Sequence, residues 1–372
     1  MILTKTQLLP ATDDSLALAA RLLAEGELVA FPTETVYGLG AHAMDAQAVL
    51  GIFSAKGRPA DNPLIVHIHD RSQLDGICEV NDAAIRLMDA FWPGPLTIIL
   101  PRKDAVPDEV TAKLDTVAVR MPSHPVAMAL LKACNLPIAA PSANRSGKPS
   151  PTSARHVFDD MDGRIPLIID GGESDVGLES TVISLAGEKP CILRPGGVTK
   201  AMLEEVLGPV DLAGSILRPL EKGEKALSPG MMYKHYSPDG QVTLIEGEES
   251  AVVEALRRLY AHAASEGHRA CVMCFTEHVA ALADCHPHDI GSKDDPTEVA
   301  HRLFATLRGL DDEKMDVIFS EVVPPEGVGL AVMNRLGRAA AFRTVWSMVL
   351  YIALESGFMS SDTPGMFAPF NQ

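Results

Sequence analysis

Basic residues are in short supply in this 372-residue chain, where 32 Lys and Arg stand against 49 Asp and Glu for a formal net charge of −17. General nucleic-acid binding is disfavoured by that balance, because phosphate contacts need clustered Lys and Arg. A local basic pocket for a small anion stays compatible with it. Cysteine is sparse as well. Six Cys exclude a disulfide scaffold, and they sit mostly inside apolar stretches, as reduced core thiols do. The 29 Gly follow no triplet period, which excludes a collagen-like chain. The opening MILTKTQLLPATDD lacks the basic start and apolar run of a secretory signal. No stretch approaches the ~18 apolar residues of a membrane helix; the nearest covers only residues 345–354. A cytoplasmic chain with no membrane partner is the expectation. P-loop, zincin and serine-hydrolase signatures (G-x-x-x-x-G-K-[ST], H-E-x-x-H, G-x-S-x-G) are all missing.

What is present is enough apolar residue, 47%, to build real cores over about two domains' length. Residues 1–210 alternate strand-like and helix-like pieces. Strands are predicted at 28–31, 64–67, 96–100, 117–121, 138–140, 167–170 and 181–185. Helices are predicted at 46–55, with Asp45 as N-cap, at 82–91, and at 125–134 with Pro in the first turn. Residues 211–240 are rich in Gly, Pro and charge without apolar periodicity, and read as a linker. Residues 241–343 alternate more regularly, with strands at 242–246, 270–275 and 317–320 and helices at 249–264, 299–310 and 329–341. This pattern suggests a small parallel, Rossmann-like sheet. It lacks G-x-G-x-x-G, so no dinucleotide site is assigned. The fold class expected is α/β, a strand-rich first domain followed by a smaller parallel one.

Polar residues gather where the apolar strands of the first domain end. Pro32-Thr33-Glu34-Thr35-Val36-Tyr37-Gly38 leaves a strand, the place where ligands bind in α/β sheets. Lys56-Gly57-Arg58-Pro59-Ala60-Asp61-Asn62-Pro63 closes a helix with two cations and leads to His67. The cations complement a helix dipole, but their company with Asn and His favours a phosphate or carboxylate clamp. In Thr116-Val117-Ala118-Val119-Arg120-Met121, Arg120 interrupts an apolar strand and needs a partner or a ligand. Ala139-Ala140-Pro141-Ser142-Ala143-Asn144 runs on to Ser150, with small residues that let backbone approach a ligand and hydroxyls that suit phosphate. Glu179-Ser180-Thr181 starts a strand and Arg194-Pro195-Gly196 ends one. A zinc reading of Cys271-Val272-Met273-Cys274 with Cys285, His286 and His288 yields to a plainer one, core thiols in a strand beside a polar loop.

In this order, PTETVYGLG, KGRPADNPLIVH, WPGPLT, DTVAVRMP, IAAPSAN, ESTVI and LRPG resemble the YrdC-like domains. With SPGMMYKHYSP and the α/β part after it, residues 5–343 resemble the long, two-domain form of the threonylcarbamoyl-AMP synthase family. The resemblance implies a YrdC-like twisted open sheet over 1–210, a linker and active-site lid over 211–240, a Rossmann-like domain over 241–343, and an atypical tail over 344–372. It implies formation of threonylcarbamoyl-AMP and pyrophosphate from L-threonine, bicarbonate or CO2, and ATP. A downstream threonylcarbamoyl transferase complex would use the product to modify tRNA, and tRNA itself is not expected to bind tightly. No nucleophile is required; positioning and charge neutralisation suffice, with Mg2+ on the ATP phosphates and no protein ligand to the metal. By motif, Thr35, His67, Arg120, Ala140 and Ser180 would hold threonine. Lys56, Arg58, Asn62, Thr116, Ser142, Ser150, Arg194 and Tyr233 would hold ATP.

Two other functions compete. YrdC-like domains also occur in hydrogenase-maturation carbamoyltransferases, behind an acylphosphatase-like module and paired zinc-finger cysteines. Here the YrdC-like domain begins near residue 10, and neither module is expected ahead of it. A non-catalytic RNA-binding module is opposed by the acidic balance of residues 1–210, which hold 26 acidic and 18 basic side chains.

Overall fold

The computed structural model of the protein describes residues 5–218 and 236–347. The first eleven strands are β1 (Gln7–Pro10), β2 (Val29–Phe31), β3 (Gly38–His42), β4 (Ile65–His67), β5 (Leu96–Pro101), β6 (Thr116–Arg120), β7 (Ile138–Ala139), β8 (Leu167–Asp170), β9 (Thr181–Ser184), β10 (Cys191–Arg194) and β11 (Asp211–Leu212). They form one mixed sheet in the order β1-β8-β2-β3-β7-β4-β6-β5-β9-β10-β11. Helices α1 (Asp13–Ala24), α2 (Ala46–Lys56), α3 (Asp82–Phe91), α4 (Asp108–Thr111), α5 (Pro125–Cys134), α6 (Ala154–Met161) and α7 (Lys200–Leu207) accompany it.

Local chemistry fixes several boundaries. Thr12 and Ser15 form a capping box that starts α1. Asp45 accepts from the Gln47 and Ala48 amides to start α2, which stops at Gly57 in the left-handed region, φ 65°. Alternation along the strands then separates two cores. Val29, Phe31 and Ile138 pack with Leu23 of α1 and Leu130 and Leu131 of α5. Ala30, Leu39 and Val119 face the other way, toward Ile52 and Phe53 of α2 and Leu87 and Met88 of α3. Each such side chain removed from water contributes about 1.5–3 kcal/mol.

The second unit holds β12 (Gln241–Glu246), β13 (Ala270–Cys274), β14 (Pro287–Asp289), β15 (Val317–Glu321) and β16 (Thr344–Trp346), with α8 (Glu249–Ser265), α9 (Pro296–Asp312) and α10 (Gly329–Ala339). Its strand order is β14-β13-β15-β12-β16, and every pair is parallel. Cys271 and Met273 belong to the core on one face, Val272 and Cys274 to the core on the other. The two cysteines therefore point to opposite sides of β13 and cannot share a metal ion. Burial pushes both thiols up to about 12.

The segments expected as linker and tail each begin inside a sheet. Asp211–Leu212 pairs with β10, and Ile216 is buried in the first core. Thr344–Trp346 pairs with β12. Residues 219–235, including Tyr233 and most of the expected lid, and residues 348–372 lie outside the described residues.

Candidate active site

Sheet topology carries the polar residues to one place. His67 and Arg120 are register partners at the last positions of parallel β4 and β6. Antiparallel β7 runs back beside β4, so that the Ala140 amide bonds the Ile65 carbonyl. β5 is antiparallel to β6 and β9 is parallel to β5, which sets Ser180, just ahead of β9, at the same edge. β10 returns antiparallel to β9 and ends in Arg194. The loop leaving β2 adds Thr33 and Thr35.

A cavity of about 700 Å³, mouth included, lies at this edge. All five residues expected to hold threonine line it: Thr35, His67, Arg120, Ala140 and Ser180. So do four of the residues expected to hold ATP: Lys56, Arg58, Ser142 and Arg194. Asn62, Thr116 and Ser150 do not. Thr116 opens β6, at the strand end opposite Arg120, opposite Pro101. Ser150 is fully buried and donates to Glu179 Oε1. Asn62 is fully buried under the Arg58 loop, and its side-chain amide has no hydrogen-bond partner among the described residues.

Arg120 is buried and ordered on three sides. Its Nη2 pairs with Glu34 Oε1 at 2.7 Å, Nη1 donates to Thr35 Oγ1 at 2.9 Å, and Nε to the Gly94 carbonyl at 3.3 Å. Burial works to raise the Glu34 carboxyl, but the adjoining guanidinium outweighs it and holds the group below the usual carboxylate range. His67 donates from Nδ1 to the Ile65 carbonyl at 3.1 Å. Burial, reinforced by Arg120, lowers its imidazole to about 3, so the ring is neutral near pH 7. Arg194 reaches the Ser180 carbonyl with Nε and Ser180 Oγ with Nη2, both at 3.1 Å. Ser180 Oγ also shares a hydrogen bond with Thr97 Oγ1 at 2.7 Å. Burial lowers the Arg194 guanidinium to about 10, which leaves it cationic.

Lys56 serves the structure more than its motif suggests. Its Nζ donates to the Ser142 and Asn144 carbonyls, fastening the end of α2 to the 142–144 loop. Burial, with help from Arg58, depresses this amine well below its ordinary value.

The cavity also holds residues that the motifs did not single out as ligand contacts. Thr33 accepts from the Thr35 and Val36 amides and shapes the loop. Tyr236 lines the cavity, three residues after Tyr233, and stacks on Phe304 of α9 with ring centroids 5.2 Å apart. Glu179 is clamped from the second domain: Arg335 of α10, fully buried, pairs with its Oε2 at 3.0 Å and donates to the Pro195 carbonyl at 2.6 Å. Burial works to raise the Glu179 carboxyl, yet Arg335 and Arg194 hold it low. The signal for Tyr236 lay in the aromatic density of MMYKHYSP. Nothing local marks Arg335, because its partner is 156 residues away.

Chemically, the site is a cationic recess in an acidic chain. Arg58, Arg120 and Arg194 stand around it, with hydroxyls and small-residue backbone between them. Glu179 is the one acid among the lining residues, and its oxygens are already engaged. Such a recess can bind a polyphosphate beside a carboxylate and keep them in mutual reach.

Comparisons with known proteins cover both domains. The model of a family described as telomere recombination matches residues 21–196, and that of the threonylcarbamoyl-AMP synthase C-terminal domain matches residues 198–341. The threonylcarbamoyl-AMP synthase of Bacillus subtilis is 48% identical over 342 residues, 91% of this chain and 97% of that protein. The Pyrococcus abyssi protein of the same name is 46% identical over 333 residues, 88% of this chain and 94% of its own. A crystal structure of P. abyssi Sua5 complexed with L-threonine superposes with a TM-score of 0.87 at 44% identity, covering 92% of this chain and 99% of that one.

Proposed function

Because the chain belongs to the threonylcarbamoyl-AMP synthase family, we propose that its strand-end cavity makes threonylcarbamoyl-AMP and pyrophosphate from L-threonine, bicarbonate or CO2, and ATP. The observation that carries this reading is convergence: residues from six separate strand ends, suited to an amino acid and to a polyphosphate, share one recess. The threonine amine attacks the carbon of CO2 and loses a proton, or attacks bicarbonate and expels its hydroxyl, which leaves as water with an amine proton; either route gives the carbamate. A carbamate oxygen then attacks the α-phosphorus, and the bond to the β-phosphate oxygen breaks as pyrophosphate leaves. No enzyme nucleophile takes part.

Within this scheme Arg120 faces the threonine carboxylate, with His67, Thr35 and Ser180 around the rest of the amino acid. Arg58 and Arg194 neutralise the triphosphate, and Ser142 contributes from the 140–150 loop. Asn62, Thr116, Ser150 and Tyr233 belong to the same reading as nucleotide contacts. The unpartnered amide of Asn62 supports that role for it. Mg2+ fits as a passenger on the phosphates, since the cavity has no free carboxylate to hold it, and when bound it would screen charge on the oxygens of the transferring phosphate. A transferase complex is the proposed recipient of the product, in tRNA modification.

The test is mass spectrometry of a reaction containing L-threonine, 13C-bicarbonate, ATP and Mg2+. Threonylcarbamoyl-AMP carrying one heavy carbon, with an equal amount of pyrophosphate, is expected. Pyrophosphate release that ignores threonine would sink the proposal.

A further inference from the structure

A second cluster of ligand-capable groups lies on the outer edge of the second domain. β14 is the edge strand of its sheet, and His288 is its middle residue. His286 stands two positions earlier, and the two rings lie on the same side, with centroids 5.1 Å apart. Opposite them is Glu313, the C-cap of α9. His286 Nε2 is 2.8 Å and His288 Nε2 3.6 Å from the same oxygen, Glu313 Oε2. The ligand atoms of all three fall within 4.8 Å of one another.

We propose that His286, His288 and Glu313 form a binding site for a divalent cation of the Zn2+ class, which ties edge strand β14 to the end of α9. Two imidazole nitrogens and one carboxylate oxygen are a donor set that suits zinc, whereas Mg2+ and Ca2+ prefer oxygen alone. Ligand bonds of about 2.0–2.2 Å set donor atoms some 3–3.5 Å apart around a tetrahedral ion, and the two nitrogen–oxygen separations bracket that spacing. A fourth position is left to water, since Glu313 and His286 are both partly exposed.

Two observations beyond the clustering point to a ligand. His288 Nε2 is buried from solvent and has no hydrogen-bond partner among the described residues, although it faces a carboxylate oxygen. The end of α9 is also charged against its own dipole: it closes on Asp311, Asp312 and Glu313, with no basic residue in the last turn. Lys148 neutralises Asp311 and Arg269 donates to the Glu313 carbonyl; a cation at the Glu313 carboxylate would offset the negative charge that is left. The buried Cys285 just before His286 is not needed as a ligand.

The experiment uses the full chain, freed of metal with a chelator and without nucleotide. Calorimetric titration with Zn2+ alone should give one ion per chain. His286→Ala and Glu313→Gln, both at partly exposed positions where folding is not at stake, should each weaken binding at least tenfold. Anomalous diffraction at the zinc edge should place the ion between β14 and the end of α9. Absence of stoichiometric binding, binding by both variants equal to the parent's, or equal affinity for Mg2+ would each overturn the proposal.

Discussion

At the scale of single residues, the site rests on groups whose charge is set by what surrounds them. Arg120 is held by Glu34, Thr35 and Gly94, so its fork is oriented before any ligand arrives. Arg120→Lys keeps the charge and loses the fork. Losing a charge-assisted hydrogen bond of this kind costs about 1.5–3 kcal/mol. We expect kcat/KM for threonine to fall at least tenfold while the KM for ATP stays within about twofold. Overlaying threonine titrations would reject the pairing. His67 gives a prediction about pH. Its folded-state value, about 3, lies below the ~6.5 of an unfolded histidine. As pH falls through 6.5 the unfolded chain gains a proton that the native site refuses, so stability is complete above that pH and is lost between about 6.5 and 3. Between pH 6.5 and 5 the loss from this one group is up to about 2 kcal/mol. In His67→Asn, urea denaturation at the two pH values should show that much less difference; an unchanged difference would mean the ring is not buried neutral.

At the scale of elements, legibility in the sequence followed local pattern. Helices α2, α3 and α5 were readable because an N-cap or N-terminal proline precedes an apolar period and a stop follows. The longer strands were readable as apolar runs. Helix α1 carries the same local signals, a capping box at Thr12 and an apolar stripe, although no helix is expected there; the strands β1, β3, β11 and β16 were not readable, since partners distant in sequence decide their state. β3, for instance, is largely Gly and Ala and is a strand because it lies between β2 and β7. The site residues were legible as polar breaks at strand ends, but which ends meet is a matter of strand order, which composition does not encode. The LRPG turn shows how tight that meeting is. A Cβ at Gly196 would stand 2.4 Å from the Thr181 amide nitrogen and 2.7 Å from the Glu179 carbonyl oxygen. Gly196→Ala must therefore push the turn after β10 away from the start of β9, taking Arg194 and Ser180 out of register. We expect loss of product formation by at least tenfold with secondary structure retained by circular dichroism. Full activity would show that the two strands tolerate separation.

At the scale of the whole molecule, the second domain is built into the first domain's site. Arg335 crosses to Glu179 and Pro195, Arg308 pairs with Asp160 at 2.7 Å, and Lys148 pairs with Asp311 at 2.9 Å. Removing one partner of a buried pair leaves an uncompensated charge and costs about 3–5 kcal/mol, whereas replacing both by apolar groups is far milder. Arg335→Met should thus depress activity and thermal stability together. The double change Arg335→Met with Glu179→Met should recover stability without recovering activity, if Glu179 also orients Ser150 and the start of β9; recovery of both would reduce Arg335 to a structural counterion. Tyr236 belongs to the same arrangement, lining the cavity and packed on Phe304 of the second domain. A wall shared in this way makes occupancy and docking two readings of one equilibrium. Whatever free energy a substrate gains by binding must appear, by thermodynamic reciprocity, as added cohesion between the domains. Heating the free protein should then release the two units in separable calorimetric steps, and saturation with ATP and threonine should merge them into one.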